Sequence, residues 1–187
     1  LVQTPSDRSI HATLIRGAVL LLVVVLGVVL VQHAATVERV VDAVAERMAQ
    51  QGAKVVISSR KAGPCDEAAA EINAKYGEGS AIAVPANIAS KEDLQRLVDE
   101  TKKAFGKVDV CVCNAASNPY YGPLDGIADD QFRKILDNNI IANHWLISMA
   151  VPQMIERRAG SIIIVSSIGG LRGSPILGAY CISKAAD

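Results

Sequence analysis

The sequence predicts an α/β fold built on a doubly wound parallel sheet. From about residue 43 onward, apolar runs of about five residues alternate with amphipathic stretches of about ten or more. This alternation predicts right-handed crossovers, with helices covering both faces of the sheet. Polar side chains follow several of the predicted strands, and ligands bind at the carboxyl ends of strands in such sheets.

Each predicted element has a local cause. The strands are short and rich in β-branched or small apolar residues, and they cover 54–58, 81–85, 108–113 and 161–165. The predicted helices are marked by a capping residue at the start or by glycine or arginine at the end. Their ranges are 43–51 (the end of a helix), 66–76, 91–105, 129–157 and a helix that starts at 179. Ser90, with Asp93 three residues on, is close to a capping box. Pro152 is expected to kink or divide the long helix.

Composition limits the function classes. With 187 residues and a 50% apolar fraction, the chain can form one domain with a sizeable core. Nineteen basic and nineteen acidic side chains balance, and no basic tract is present, so nucleic acid is not an expected partner. Cys111 and Cys113 share one face of a predicted strand and the three histidines are scattered, so no metal site is expected. We expect the cysteines to be buried, reduced thiols in a cytoplasmic protein.

Residues 1–42 form an atypical apolar segment ahead of a partial domain at 43–187. Gly17 to Val31 contains no charged or polar residue, and counting 14–31 brings the stretch to the short limit of a membrane span. Three interpretations stay open: a signal peptide or membrane anchor, a long buried first strand, or translation in a shifted frame. The anchor interpretation gives a membrane-attached protein instead of a cytoplasmic one.

The segment near the end of the sequence carries a candidate proton-transfer site. Ser167 follows the apolar strand, Tyr180 lies thirteen residues later, and Lys184 lies four residues after that. Residues four apart share one face of a helix, so Tyr180 and Lys184 are expected to be neighbours. An ammonium beside a phenol lowers the tyrosine pKa from about 10 toward neutrality. Such a tyrosine can exchange a proton with a substrate oxygen that the serine hydroxyl also holds.

Ser167 and the Y-C-I-S-K string resemble the catalytic set of the short-chain dehydrogenase/reductase family, and the resemblance covers 43–187. It implies a Rossmann-like sheet and hydride transfer between NADP(H) and a small-molecule carbonyl or alcohol. It also implies that Tyr180 donates the proton, that Ser167 orients the carbonyl, and that Lys184 tunes the tyrosine and binds the nicotinamide ribose. In L-D-N-N-I, the resemblance assigns the proton-relay asparagine to Asn139, and Asn138 leaves that register open by one residue.

The resemblance also implies which residues bind the cofactor. Ser59 and Arg60 stand where NAD-preferring members carry an acidic residue, and a guanidinium there pairs with a 2′-phosphate, which implies NADP(H). The alternative is a solvated Arg-Lys turn. In P-A-N-I, Asn87 and Ile88 fall at the adenine position. Asn114 in C-N-A-A either lines the cofactor or ties strands together. The strings S-S-R-K, V-C-N-A-A-S-N-P and I-V-S-S-I are similar to carbonyl reductases that act on retinoids and dicarbonyls.

Two departures from the family bear on function. The family's T-G-x-x-x-G-x-G turn is expected at 34–41, which reads A-A-T-V-E-R-V-V without glycine. A full-length member, usually a homo-oligomer, continues beyond this sequence with a helix, two strands and a substrate loop, which implies a C-terminally truncated domain. The alternative function is therefore an inactive, truncated or membrane-tethered relative acting as a binding fragment. Related epimerases and dehydratases also use Tyr and Lys, but they carry a further sugar-nucleotide domain.

Overall fold

The structure, a computed structural model, describes the backbone of residues 20–24 and 34–41, and residues 42–187 in full. Its strands form one five-stranded parallel sheet, and they are β1 Leu20–Val24, β2 Lys54–Ser58, β3 Ala81–Ala83, β4 Val110–Cys113 and β5 Ser161–Ile164. The strand order is β3-β2-β1-β4-β5. The winding therefore reverses at β1, which creates a crevice between the carboxyl ends of β1 and β4.

Six helices cover this sheet within the described residues. They are α1 Ala34–Gln50, α2 Ala62–Tyr76, α3 Lys91–Phe105, α4 Asp129–Leu136, α5 Ala142–Arg157 and α6 Gly178–Ala185. A π-helical turn, Asp137–Ile141, joins α4 to α5. Short 3-10 turns lie at Leu124–Gly126 and Ile168–Gly170.

Side-chain alternation along the strands divides the core into two layers. Val55, Ile57 and Val112 face α1 and α2, where Ala45, Ala49 and Ile72 are buried. The intervening strand residues face α3 and α5, and the buried members of that layer include Val56, Cys111, Cys113, Leu94, Leu97, Val98, Leu146 and Ala150. The predicted α/β class and doubly wound parallel sheet are confirmed.

The long predicted helix needs one correction. It is not divided at Pro152, which lies inside α5; the irregularity is the π turn Asp137–Ile141. A proline removes one backbone hydrogen bond, here to the carbonyl of Ser148. Ser148 and Pro152 are both exposed, so water can solvate that carbonyl and the helix continues.

The start of the sequence contributes to the sheet. Leu20–Val24 is its central strand, and Leu22 lies opposite both Val56 and Cys111. This is the geometry of the buried-strand interpretation, and the predicted boundary at residue 42 falls inside α1. Residues 34–41, where the glycine turn was expected, are helical, and the connection 25–33 lies outside the described residues. No helix in the described part is long and apolar enough to cross a membrane.

Candidate functional site

Ser167 and Tyr180 both lie beside Gly169, just beyond β5. The Ser167 hydroxyl caps the 3-10 turn by accepting a hydrogen bond from the backbone N–H of Gly169, at 3.1 Å. A Cβ placed on Gly169 would lie 3.5 Å from Ser167 Oγ and 3.6 Å from Tyr180 Cε1. The serine hydroxyl and the tyrosine ring therefore flank one glycine at the carboxyl edge of the sheet.

A second glycine brings the tyrosine helix close to this turn. Ser166 Oγ donates a 2.8 Å hydrogen bond to the carbonyl of Lys184 in α6. A Cβ on Gly170 would lie 2.5 Å from that same carbonyl oxygen, which is closer than any side chain can approach. Glycine at position 170 thus permits the contact that seats α6 against the residues following β5.

Lys184 is buried, with 3% of its surface exposed. Its ammonium donates to the carbonyl of Val165 at 2.8 Å and to Asp187 Oδ2 at 2.6 Å. The ammonium is thereby tied to the end of β5 and to Asp187, two residues after the end of its own helix. Asp187 was not singled out from the sequence, although its spacing of three from Lys184 is a contact spacing on a helix.

Asn139 links the π turn to the tyrosine helix. It is fully buried, and its Oδ1 accepts from the Ser117 N–H at 2.7 Å. Its Nδ2 donates to the Ser117 carbonyl at 3.1 Å and to Ser183 Oγ at 2.9 Å. Ser183 in turn donates to the carbonyl of Tyr180 at 2.7 Å. Asn138 instead donates to Ser117 Oγ at 2.9 Å, so of the two asparagines it is Asn139 that bonds to α6.

Sequence reasoning missed Ser117 and Ser183. Ser183 carried a usable signal, because it lies three residues after Tyr180 and shares a helix face with it. Ser117 carried none beyond its place after C-N-A-A, since its partners lie more than twenty residues away in the sequence.

A cavity of about 170 Å³ opens at the carboxyl ends of β2, β3 and β4. It contains three of the predicted cofactor residues and two further polar groups from α4 and the π turn. Its lining is Arg60, Asn87, Ile88, Ala116, Ser117, Pro119, Lys134 and Asn138. The cavity thus presents two cationic side chains, Arg60 and Lys134, together with amide and hydroxyl groups.

The turn after β2 is shaped by Ser59. Its hydroxyl accepts from the Lys61 N–H and from the Cys65 thiol, both at 3.2 Å. Burial raises the pKa of the Cys65 thiol, so this group stays a neutral donor. Asn114 is half-buried directly after β4.

The loop that carries Asn87 is held by the start of α3. The Asn87 N–H donates to Asp93 Oδ2 at 2.8 Å, and Asn87 Oδ1 accepts from the Ala89 N–H at 3.1 Å. The hydrogen bond from Asn87, followed by the one from Arg96, holds the pKa of Asp93 below its usual range. A carboxylate at this place is therefore ionised at neutral pH and fixes the cavity wall.

The cysteines and the possible metal ligands of the described residues form no metal cluster. All four cysteines are free and buried, as expected from the sequence. The hydrogen bond with Cys113, together with burial, raises the pKa of Cys111 well above its usual value. Within residues 20–24 and 34–187 no three His, Cys, Asp or Glu side chains cluster as metal ligands do. A wider groove of about 560 Å³ along α3 contains none of the predicted site residues.

Comparison with known proteins assigns the chain to a family. A parallel sheet that reverses its winding at a central strand defines the class of dinucleotide-type α/β domains. Within that class, the sequence model described as short chain dehydrogenase matches residues 40–187. The chain belongs to the short-chain dehydrogenase/reductase family.

Curated relatives give the same assignment. The chain is 42% identical over 145 residues to dehydrogenase/reductase SDR family member 4 of Bos taurus, and 39% identical to that of Homo sapiens. It is also 39% identical to the mitochondrial dehydrogenase/reductase SDR family member 2 of Homo sapiens. These matches cover 77% of the chain, and the chain spans about half the length of the curated relatives it matches, at 50 to 51%.

Solved structures share the fold. A short-chain dehydrogenase from Streptomyces avermitilis aligns with TM-score 0.75 and 25% identity, over 91% of this chain and 57% of the other. An actinorhodin polyketide ketoreductase variant with NADPH aligns with TM-score 0.77 and 21% identity, over 90% and 60%. An alcohol dehydrogenase of Thermococcus sibiricus with 5-hydroxy-NADP gives 0.72 and 21%, over 78% and 60%. The α/β expectation is thus matched by experimental folds.

Proposed function

We propose that this chain carries the cofactor-binding and proton-transfer part of an NADP(H)-dependent oxidoreductase acting on carbonyl and alcohol substrates. The observation that carries the proposal is that Ser167 Oγ and the Tyr180 ring both lie beside Gly169, beyond the carboxyl end of β5. In a parallel sheet of this order, that edge is where a dinucleotide and its substrate bind.

In the proposed reaction, bound NADPH supplies a hydride to the carbonyl carbon. The Tyr180 hydroxyl gives its proton to the carbonyl oxygen, and the Ser167 hydroxyl donates a hydrogen bond to the same oxygen. The positive charge of the Lys184 ammonium stabilises the phenolate left on Tyr180. In the direction of alcohol oxidation, the phenolate accepts the alcohol proton.

Asn139 acts by positioning. Its amide spans Ser117, after β4, and Ser183, in the tyrosine helix. Because Ser183 donates to the carbonyl of Tyr180, the Asn139 amide fixes the position of the Tyr180 backbone relative to the end of β4. A fully buried amide with three hydrogen bonds is costly to displace, which keeps that backbone position constant.

The cavity residues fit the adenosine end of NADP(H). Arg60 and Lys134 supply positive charge for the 2′-phosphate, and Asn87 supplies an amide for the adenine. Two fold neighbours were solved with NADPH or 5-hydroxy-NADP, which supports the same cofactor class. The glycine turn that would bind the pyrophosphate was expected at 34–41, where the sequence has no glycine, and the connection 25–33 lies outside the described residues.

The test compares Tyr180→Phe with the wild-type chain. NADPH oxidation is followed with a panel of aldehydes, ketones and dicarbonyls. Loss of the proton donor is expected to lower kcat/KM by about 100-fold or more, with NADPH affinity unchanged by fluorescence titration. Tyr76→Phe is the matched control, because Tyr76 lies in α2 and donates only to Glu46. A Tyr180→Phe variant with full activity would remove this residue from the mechanism.

A wild-type chain that neither binds NADPH nor reduces any carbonyl would favour the inactive binding fragment instead. Circular dichroism of the same sample then shows whether the domain is folded. A folded chain that binds no NADPH would support the inactive binding fragment, which agrees with the missing glycine turn at 34–41.

A further inference from the structure

We propose that Asp187 is a positioning residue for Lys184. Its carboxylate fixes the Lys184 ammonium, on the same helix as Tyr180, through a buried ion pair. The inference rests on the proposed function, because it specifies how the lysine of that site is oriented. Asp187 Oδ2 lies 2.6 Å from Lys184 Nζ. None of the family motifs that identify the site extends to this aspartate.

The burial of the pair separates it from a surface ion pair. The side chains are 2% exposed for Lys184 and 3% for Asp187, although the backbone of Asp187 is exposed. By contrast, the i,i+3 pair of Lys103 and Glu100 on α3 leaves 76% and 45% of the side chains exposed. An exposed pair of that kind contributes little, whereas an ammonium buried without a counter-charge is strongly disfavoured.

The ammonium has three N–H donors, and two of them are assigned. One donates to the carbonyl of Val165 and one to Asp187 Oδ2. These two fixed bonds set the direction of the third donor, which is the one left for the cofactor ribose or the tyrosine oxygen. The residue's own carbonyl is fixed as well, because Ser166 Oγ donates to it.

Asp187 also joins Lys184 to the π turn. Its second oxygen, Oδ1, receives a weak contact of 3.5 Å from Asn143 Nδ2. The same Nδ2 donates to the carbonyl of Asn139 at 2.9 Å. Asn139, Asn143, Asp187 and Lys184 therefore form one network beneath the site, in which Asp187 is the anionic member. A displacement of its carboxylate would reach both the ammonium and the asparagine.

The test measures the lysine directly. Lys184 in the full chain is labelled with a dilute acylating reagent, and its modification is compared by mass spectrometry with that of exposed Lys103. Little labelling of Lys184 is expected in the wild type, and severalfold more in Asp187→Asn. The same variant is expected to lose about tenfold in kcat with the carbonyl KM nearly constant, and Asp187→Glu is expected to restore part of both.

Asp109→Asn is the matched control. Asp109 is also a partly buried carboxylate in an ion pair, 2.6 Å from Arg157, but it lies just before β4 at the amino end of that strand. This variant should lose stability without changing Lys184 labelling or kcat. If Asp187→Asn and Asp109→Asn changed labelling and kcat equally, Asp187 would only stabilise the fold and would not position Lys184.

The outcomes separate the inference from the proposed function. Labelling of Lys184 to the extent of Lys103 in the wild type overturns the inference, and this measurement needs no variant to fold. Unchanged labelling in Asp187→Asn overturns it as well. If the labelling differs as expected while no carbonyl is reduced, the ion pair holds the lysine but the proposed function is wrong.

Discussion

At the scale of single residues, two cationic side chains at the cavity carry the proposed preference for NADP(H). Arg60 follows β2 and Lys134 lies in α4, far apart in the sequence, yet both line the same cavity. A 2′-phosphate between them would make charge-assisted hydrogen bonds, which are stronger than neutral ones. The ribose hydroxyl of NADH offers no such charge, so on the proposed function the two cations favour NADPH over NADH.

Removing Arg60 should therefore reduce the preference for NADPH over NADH. We expect Arg60→Ala to weaken NADPH binding by about 1.5–3 kcal/mol, the range of a hydrogen bond to a charged group, with a smaller effect on NADH. Lys134→Ala should act in the same direction. Fluorescence titration with both cofactors measures the change.

Arg133→Ala is the control for these cations. It removes the neighbouring charge on α4, and Arg133 does not line the cavity. An unchanged cofactor preference in Arg60→Ala would support the alternative of a solvated Arg-Lys turn.

At the scale of elements, the first turns of helices and the π turn position the residues of the candidate site. The π turn Asp137–Ile141 carries two buried asparagines at the junction of α4 and α5. Such turns are short insertions in a helix and are frequent at functional sites. At the other side of the cavity, the first turn of α3 holds the Asn87 loop through Asp93. The loops proposed to contact the cofactor are thus held by the ends of helices.

The α3 cap is the clearest element to test. Ser90 Oγ accepts from the Asp93 N–H at 3.1 Å, and α3 buries Leu94, Leu97 and Val98 against the sheet. Ser90→Ala should lower the free energy of unfolding by about 1 kcal/mol because a helix-terminal N–H loses its partner. Urea unfolding followed by circular dichroism measures it.

Ser148→Ala serves as the comparison, since Ser148 is exposed in the interior of α5. This change should be neutral or slightly stabilising, because alanine is the better helix former. Equal losses in the two variants would mean that the cap contributes nothing specific.

At the scale of the whole molecule, the middle of β4 is buried within the described residues, whereas apolar side chains at β5 are exposed. Cys111 and Cys113 lie in β4, are 0% and 2% exposed, and belong to the layer beneath α3 and α5. In contrast, apolar side chains at and beyond the edge strand β5 are exposed, including Ile163 at 44% and Leu171 at 85%.

The buried thiols report on the stability of the whole domain. Cys111 and Cys113 should react with a disulfide reagent only when the sheet opens, so about a thousandfold or more slower than free thiols. All four cysteines should react at once in denaturant. Mass spectrometry at timed intervals gives the rate for each cysteine. Rapid labelling of Cys111 without denaturant would contradict the closed core.

The sequence by itself determined the order and type of most elements. Apolar periodicity, the Ser90 cap and terminal glycines depend on residues close in the chain, so α3 and β2 fall at their predicted bounds. It also determined that Tyr180 and Lys184 share a helix, because their spacing is local. The expected division of the long helix at Pro152 was wrong, because the exposure of Ser148 that lets α5 continue is not visible in a local pattern.

Only the tertiary structure decided which distant residues meet. The bond from Asn139 to Ser183 spans 44 residues, and Arg60 meets Lys134 in one cavity. It also decided that Leu20–Val24 is the central strand, and that the locally spaced pair of Lys184 and Asp187 is buried. These contacts follow from how the helices pack on the sheet, and packing depends on side chains brought together from the whole chain, which no local pattern encodes.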